Sequence, residues 1–112
     1  MREEKLKLYD QLIALTPYER KGKTMPYTSA NTYMFTLFNK DSEIGIRLSK
    51  ESQTAFKEKY NTTIYKSHGA TIKDYVLVPE SMYDDLELLS KYVVESYEFV
   101  MSLKPKPTKK KK

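Results

Sequence analysis

Lysine is concentrated where the chain could meet a polyanion. Lys104, Lys106, Lys109, Lys110, Lys111 and Lys112 fill six of the last nine positions, with Pro105, Pro107 and Thr108 between them. Six like charges repel one another and two prolines block a continuing helix, so this tail is expected not to fold. Its available chemistry is neutralisation of phosphate. Six such contacts on B-DNA would give a slope of at most about −5 in log K against log[salt], without sequence information. A weaker basic group, Arg20, Lys21 and Lys23, lies between Tyr18 and Tyr27, a mixture of charge and rings that can bind single strands. These nine residues are the nucleic-acid candidates, for weak, non-specific binding. A solvated tail and a solvated loop explain the same residues without a partner.

Proton-transfer and metal chemistry are poorly supplied. His68 is the only histidine, beside Gly69, and no spacing pairs it with a nucleophile or with metal ligands. Glu80, Asp84, Asp85 and Glu87 could attract a cation, but helix capping and compensation of the helix dipole account for them. The absence of cysteine excludes disulfides, thiolate metal sites and thiol nucleophiles. Three scattered glycines cannot form a phosphate or dinucleotide loop. The expectation is a protein that is not an enzyme, with no cofactor, no metal and no small-molecule substrate.

The net charge of +5 divides unevenly. Residues 1–103 hold 14 basic groups against all 15 acids, so the body is near neutral and the charge belongs to the tail. A chain of 112 residues fits one domain burying roughly 65% of its unfolded surface, taken here as 1–103 followed by a disordered 104–112 tail. Its longest apolar runs are four residues, Leu12 to Leu15 and Tyr75 to Val78, too short for a signal core or a membrane span. A cytoplasmic location is the corresponding expectation.

The elements that must position these groups follow from periodicity. Residues 3–15 repeat apolar side chains at helical spacing, Leu6, Tyr9 and Ile13 beside Leu8, Leu12 and Leu15, and Thr16-Pro17 stops them. Residues 17–31 read as loop around a short extended piece near 23–27. Over residues 32–38, Tyr33, Phe35 and Leu37 alternate with Met34, Thr36 and Phe38, placing apolar groups on both faces, as a strand covered on two sides by its own helices or by a partner requires; 39–42 turn the chain into a second strand over 44–48. Ser49 is placed to cap a helix running to Tyr60 with Ala55, Phe56 and Tyr60 inward, and Asn61 suits its end. Strands at 62–66 and 73–78 follow, and Pro79 closes the second. Asp84 and Glu87 stand at capping-box spacing, with Tyr83 and Leu88 as the hydrophobic staple of a helix over 85–103. The order α-β-β-β-α-β-β-α predicts an α+β two-layer sandwich with a mainly antiparallel sheet.

The last helix is too apolar for one packing face. Eleven of its nineteen residues are apolar, over an arc of about 240°, where packing on a sheet needs little more than about 100°. Leu86, Leu89, Val93, Tyr97 and Val100 form one stripe; Leu88, Tyr92, Phe99 and Leu103 form a second and are the candidates for a partner or dimer surface. Either helix one lies beside this helix, or a second copy or another protein covers it.

Several strings resemble the N-terminal domain of the TfoX/Sxy family, bacterial proteins associated with regulation of natural competence. They are Tyr33-Met34-Phe35 through Glu43-Ile44-Gly45-Ile46-Arg47-Leu48-Ser49, the helix holding Ala55-Phe56, and Tyr75-Val76-Leu77-Val78-Pro79-Glu80. The resemblance spans roughly residues 5–103. It implies a small regulatory or protein-interaction domain with a secretion-chaperone-like α+β fold, and carries over no active site. Where that family often has a Met-Phe-Gly-Gly turn, this chain has Met25-Pro26-Tyr27-Thr28-Ser29-Ala30-Asn31.

Overall fold

The computed structural model describes residues 2–23, 25–67 and 70–105. Helix α1 spans Arg2–Ala14, followed by strands β1 (Tyr27–Ala30), β2 (Tyr33–Phe38) and β3 (Ile44–Arg47). Helix α2 (Lys50–Tyr60), strands β4 (Ile64–Ser67) and β5 (Ala70–Leu77), a single 3-10 turn at Glu80–Met82 and helix α3 (Leu86–Ser102) complete it. The five strands form one antiparallel sheet in the order β1-β2-β3-β5-β4. The fold is mixed α+β with the expected element order.

The main core lies between the helices and one face of the sheet. Tyr9, Leu12 and Ile13 of α1, Phe56 of α2 and Leu89, Val93 and Val100 of α3 meet Phe38, Ile44, Ile46 and Val76 from the strands, all of them buried. Helices α1 and α3 run in the same direction. Lys5 pairs with Glu80 at their N-terminal ends (2.8 Å), and Tyr18, just past α1, stacks on Tyr97 near the other (centroids 4.5 Å apart).

The second face of the sheet is covered by the chain's own hairpin. In a flat sheet β4 would stand about 14 Å from β2, three strand spacings away. Yet the Asn39 amide, one residue past β2, donates to the Lys66 carbonyl at 2.7 Å, and the Tyr65 hydroxyl donates to the carbonyls of Leu37 (3.1 Å) and Glu43 (2.9 Å). The β4–β5 hairpin therefore curls back over the sheet. Two irregularities permit this: a register shift between Ile64 and Lys66, and Asp74 at φ 70°. Leu37, Tyr65 and Tyr75 are buried beneath the curl, rimmed by half-buried Met25, Tyr27, Met34, Ile72 and Leu77. The two-sided apolar pattern of β2 is thus met inside the monomer.

Five local readings of the sequence are corrected. The extended piece expected near 23–27 lies at Tyr27–Ala30, because Asn31 (φ 53°) and Thr32 (φ 67°) make the hairpin turn, both at the positive φ such two-residue turns require. Strict alternation along β2 fails at Phe35: Thr28 pairs with Thr36 but Ser29 with Met34, so Phe35 is an extra, bulged residue. Phe35 joins the main core, and Thr36 turns to the same layer to meet Tyr9. The α3 cap is Asp85, which accepts from the Leu88 amide at 3.1 Å, rather than Asp84. The 3-10 turn, anchored by buried Met82, carries the chain one residue further before α3 begins, so Asp84 and Glu87 form no capping box there. Strand β5 begins at Ala70 rather than 73 and forms a tight hairpin with β4; Ala55, expected inward, is exposed. Ser49 and Asn61 cap α2 as read: the Ser49 hydroxyl accepts from the Ser52 amide, and Asn61 is left-handed at φ 53°.

Candidate interaction surfaces

The second stripe of α3 is half-buried along its length. Leu88, Tyr92, Phe99 and Leu103 all pack against the main core and retain partial exposure. Helix α2 covers its middle: the Tyr92 ring stands edge-on to Phe56 (centroids 4.9 Å apart) and its hydroxyl lies 3.0 Å from that of Tyr60. Burial, with the Tyr60 hydrogen bond, pushes the Tyr92 phenol up to about 12. Tyr97, on the first stripe, is sandwiched from the α1 side by Tyr18, whose ring also stands edge-on to Phe35. What remains outward on α3 is the rim of the second stripe together with Met101, which is 48% exposed.

Arg20 is engaged inside the molecule. Its Nε donates to Asp10 Oδ1 and its Nη1 to the Gly22 carbonyl, both at 3.0 Å, which ties the loop to α1. The Lys21 backbone pairs with Tyr27 in both directions (2.7 and 2.9 Å) and its ammonium donates to Ser29 Oγ at 3.3 Å. Lys23 is exposed. The loop's rings are occupied as well: Tyr18 lies between Tyr97 and Phe35, and Tyr27 packs on Gly22, where a Cβ would come within 3.0 Å of its ring.

The root of the lysine tail lies beside the same edge. Asn31 Nδ2 donates to the carbonyls of Val100 (2.7 Å) and Leu103 (2.8 Å), and the Tyr33 hydroxyl donates to the Lys104 carbonyl. Ser29 and Asn31 are two residues apart, about 7 Å along a strand. Lys21, through Ser29, and Lys104, through Tyr33, more than eighty residues apart in sequence, thus both contact the β1–β2 hairpin. Lys104 is exposed; Lys106, Lys109, Lys110, Lys111, Lys112 and His68 lie outside the described residues.

The acidic group at the start of α3 divides into separate roles. Glu80 accepts from Lys5, which holds its carboxyl below the usual range, and Asp85 caps the helix, while Asp84 and Glu87 are exposed. Among the described residues no three His, Cys, Asp or Glu side chains are grouped to hold a metal ion.

Two polar clusters were not singled out by their spacing. Arg47 Nη2 pairs with Asp74 Oδ2 at 3.2 Å, its guanidinium lies 5.0 Å over the Tyr33 ring, and Gln53 bridges Asp74 to the Leu48 carbonyl. This locks the left-handed residue of β5 to the start of α2. The buried hydroxyls of Tyr9, Thr36 and Thr28 form a chain of two 2.7 Å bonds between α1 and the sheet. In the sequence their only signal is polar residues set within apolar segments.

No protein-family model, curated protein or solved structure matches the chain. Among the described residues no helix is long and apolar enough to cross a membrane.

Proposed function

We propose that this chain is a non-enzymatic regulatory or protein-interaction module of the TfoX/Sxy N-terminal type, acting through the outer rim of α3. The observation that carries this reading is the apolar surface left on α3 after packing by the sheet, α1 and α2. Leu88, Phe99 and Leu103 keep part of their surface in water and Met101 nearly half of its own. A helix at the surface of a monomer ordinarily turns polar groups outward at such positions. A second copy is the simplest occupant, because a symmetric pairing of α3 with α3 lets each rim cover the other.

The buried polar side chains serve the fold. Ser96 donates to the Phe35 carbonyl at the β2 bulge, Asn39 organises the β2–β3 turn, and Thr28 and Thr36 bridge β1, β2 and α1. Each holds elements together.

Size-exclusion chromatography with light scattering tests the proposal. The expected result is a dimer at high micromolar concentration that Phe99→Ser with Met101→Ser converts to a folded monomer. A strict monomer for the unaltered chain, with no protein captured specifically through α3 from its native cell, rejects it.

A further inference from the structure

The outward faces of α1 and α3 meet along a groove above the core. On α1, Tyr9 bonds to Thr36 of the sheet and Lys5 reaches Glu80 just before α3, which fixes how the helix is turned. At about 100° per residue, Leu8 and Leu15 lie on the Lys5 side, about 60–80° further from the sheet than Lys5. On α3, Ser96 faces Phe35 of the sheet and Tyr97 faces Tyr18 at the end of α1. Met101 and Val94 follow Tyr97 by about 40° and 60°, away from the flank that Tyr92 turns to α2. Each pair is spaced i, i+7, the repeat of a helix-packing seam.

Burial agrees with this placement. Leu8 and Val94 are half-buried but join neither buried cluster, so the facing helix rather than the core covers them. Leu15 at 53% and Met101 at 48% are two of the three large apolar side chains left exposed among the described residues. Along the lips stand Glu4 and Gln11 of α1 and Glu87, Lys91 and Glu98 of α3, all exposed. Three carboxylates against one ammonium leave a net of −2, and none of the three forms a salt bridge among the described residues.

We infer that this groove seats an amphipathic helix of another protein, its apolar stripe on Leu8, Leu15, Val94 and Met101 and its flanks carrying lysine or arginine. Two parallel helices side by side form a furrow that the ridge of a third can fill, and they offer no strand edge to an extended peptide. Residues 87–101 span about 21 Å, room for about four helical turns. Charge selects the partner. A second copy would set the same glutamates against one another, whereas basic flanks neutralise them. The inference rests on the reading of the chain as a protein-interaction module. It uses the α1 side of α3 and neither Leu88 nor Phe99, so it can fail while the pairing of α3 with α3 holds, and the reverse.

Fluorescence anisotropy tests it with the full chain and a labelled synthetic peptide of about 14 residues, leucine at i, i+3, i+4 and i+7 and lysine elsewhere. The unaltered protein is expected to bind this peptide saturably in the micromolar range, and a scrambled peptide of the same composition at least about tenfold more weakly. Leu15→Ser with Met101→Ser should weaken binding by at least about tenfold, the loss expected from two half-exposed apolar side chains. Glutamine at Glu4, Glu87 and Glu98 together should weaken it by about fivefold and flatten its salt dependence. Phe99→Ser should bind like the parent, and circular dichroism checks that each variant is folded. No saturable binding overturns the inference, as does equal binding of the scrambled peptide or a Leu15→Ser, Met101→Ser variant that binds like the parent. A dimer of the unaltered chain that Leu15→Ser alone dissociates overturns it as well, since the groove then belongs to a second copy.

Discussion

The ring of Tyr65 lies flat on Gly45. A Cβ at residue 45 would come within 2.6 Å of three of its ring carbons, closer than real side chains approach. Gly45 stands on β3 and Tyr65 on β4, with β5 between them, so this contact marks where the hairpin folds over the sheet. Gly45→Ala should destabilise the protein by about 1–3 kcal/mol, the usual cost of overpacking, read from urea melts. Adding Tyr65→Leu should recover part of that loss. Equal stability of Gly45→Ala and the parent would show that the ring does not rest there.

Thr36 stands between two other buried hydroxyls, Tyr9 and Thr28. Thr36→Val keeps the shape but deprives both neighbours of a partner, and should cost about 1–3 kcal/mol. Removing all three hydroxyls together, with Tyr9→Phe, Thr28→Val and Thr36→Val, should cost less than Thr36→Val alone, because no polar group is then stranded. Chemical denaturation of the single and triple variants distinguishes the two cases.

Thr32 holds φ at 67°, a conformation unfavourable for a β-branched residue, at an exposed turn position. Thr32→Gly should raise stability by about 1 kcal/mol. Asn31→Ala beside it should act oppositely. It loses the left-handed preference of asparagine and both bonds to the end of α3, and hydrogen exchange should show the last turn of α3 opening first.

Burial raises the phenols of Tyr9, Tyr65 and Tyr75 well above their ordinary value near 10, and those of Tyr83 and Tyr92 up to about 12. The unfolded chain therefore releases these protons first as pH rises. Their contribution to stability is complete below pH 10 and declines above it, by about 1.4 kcal/mol per pH unit for each tyrosine ionised only in the unfolded state. Thermal melts should be insensitive to these groups from pH 7 to 9 and should fall steeply between pH 10 and 12. A midpoint that holds steady through pH 12 would contradict the burial of these rings.

Much of the architecture is legible from local rules. Periodicity placed α1 and α3, Ser49 and Asn61 delimited α2, and Asn39 to Ser42 marked the β2–β3 turn, because these signals act within a few residues of where they are written. The first hairpin was hidden: Asn31-Thr32 is a costly choice for its turn, accepted where the asparagine also bonds the end of α3. The α3 cap shifted by one residue for a similar reason, since buried Met82 decides where the preceding turn ends.

The candidate surfaces divide in the same way. Six lysines within the last nine residues, an α3 apolar over more than one face and a β2 apolar on both sides can be read from residue order alone. What the apolar excesses meet depends on packing between distant segments. Tyr92 turned to α2, Tyr97 to Tyr18, and the second face of β2 to a hairpin that curls across two strands. Net charge is a sum and keeps no record of position, whereas binding depends on which charges share an edge. That is fixed by strand pairing and packing between residues far apart in sequence.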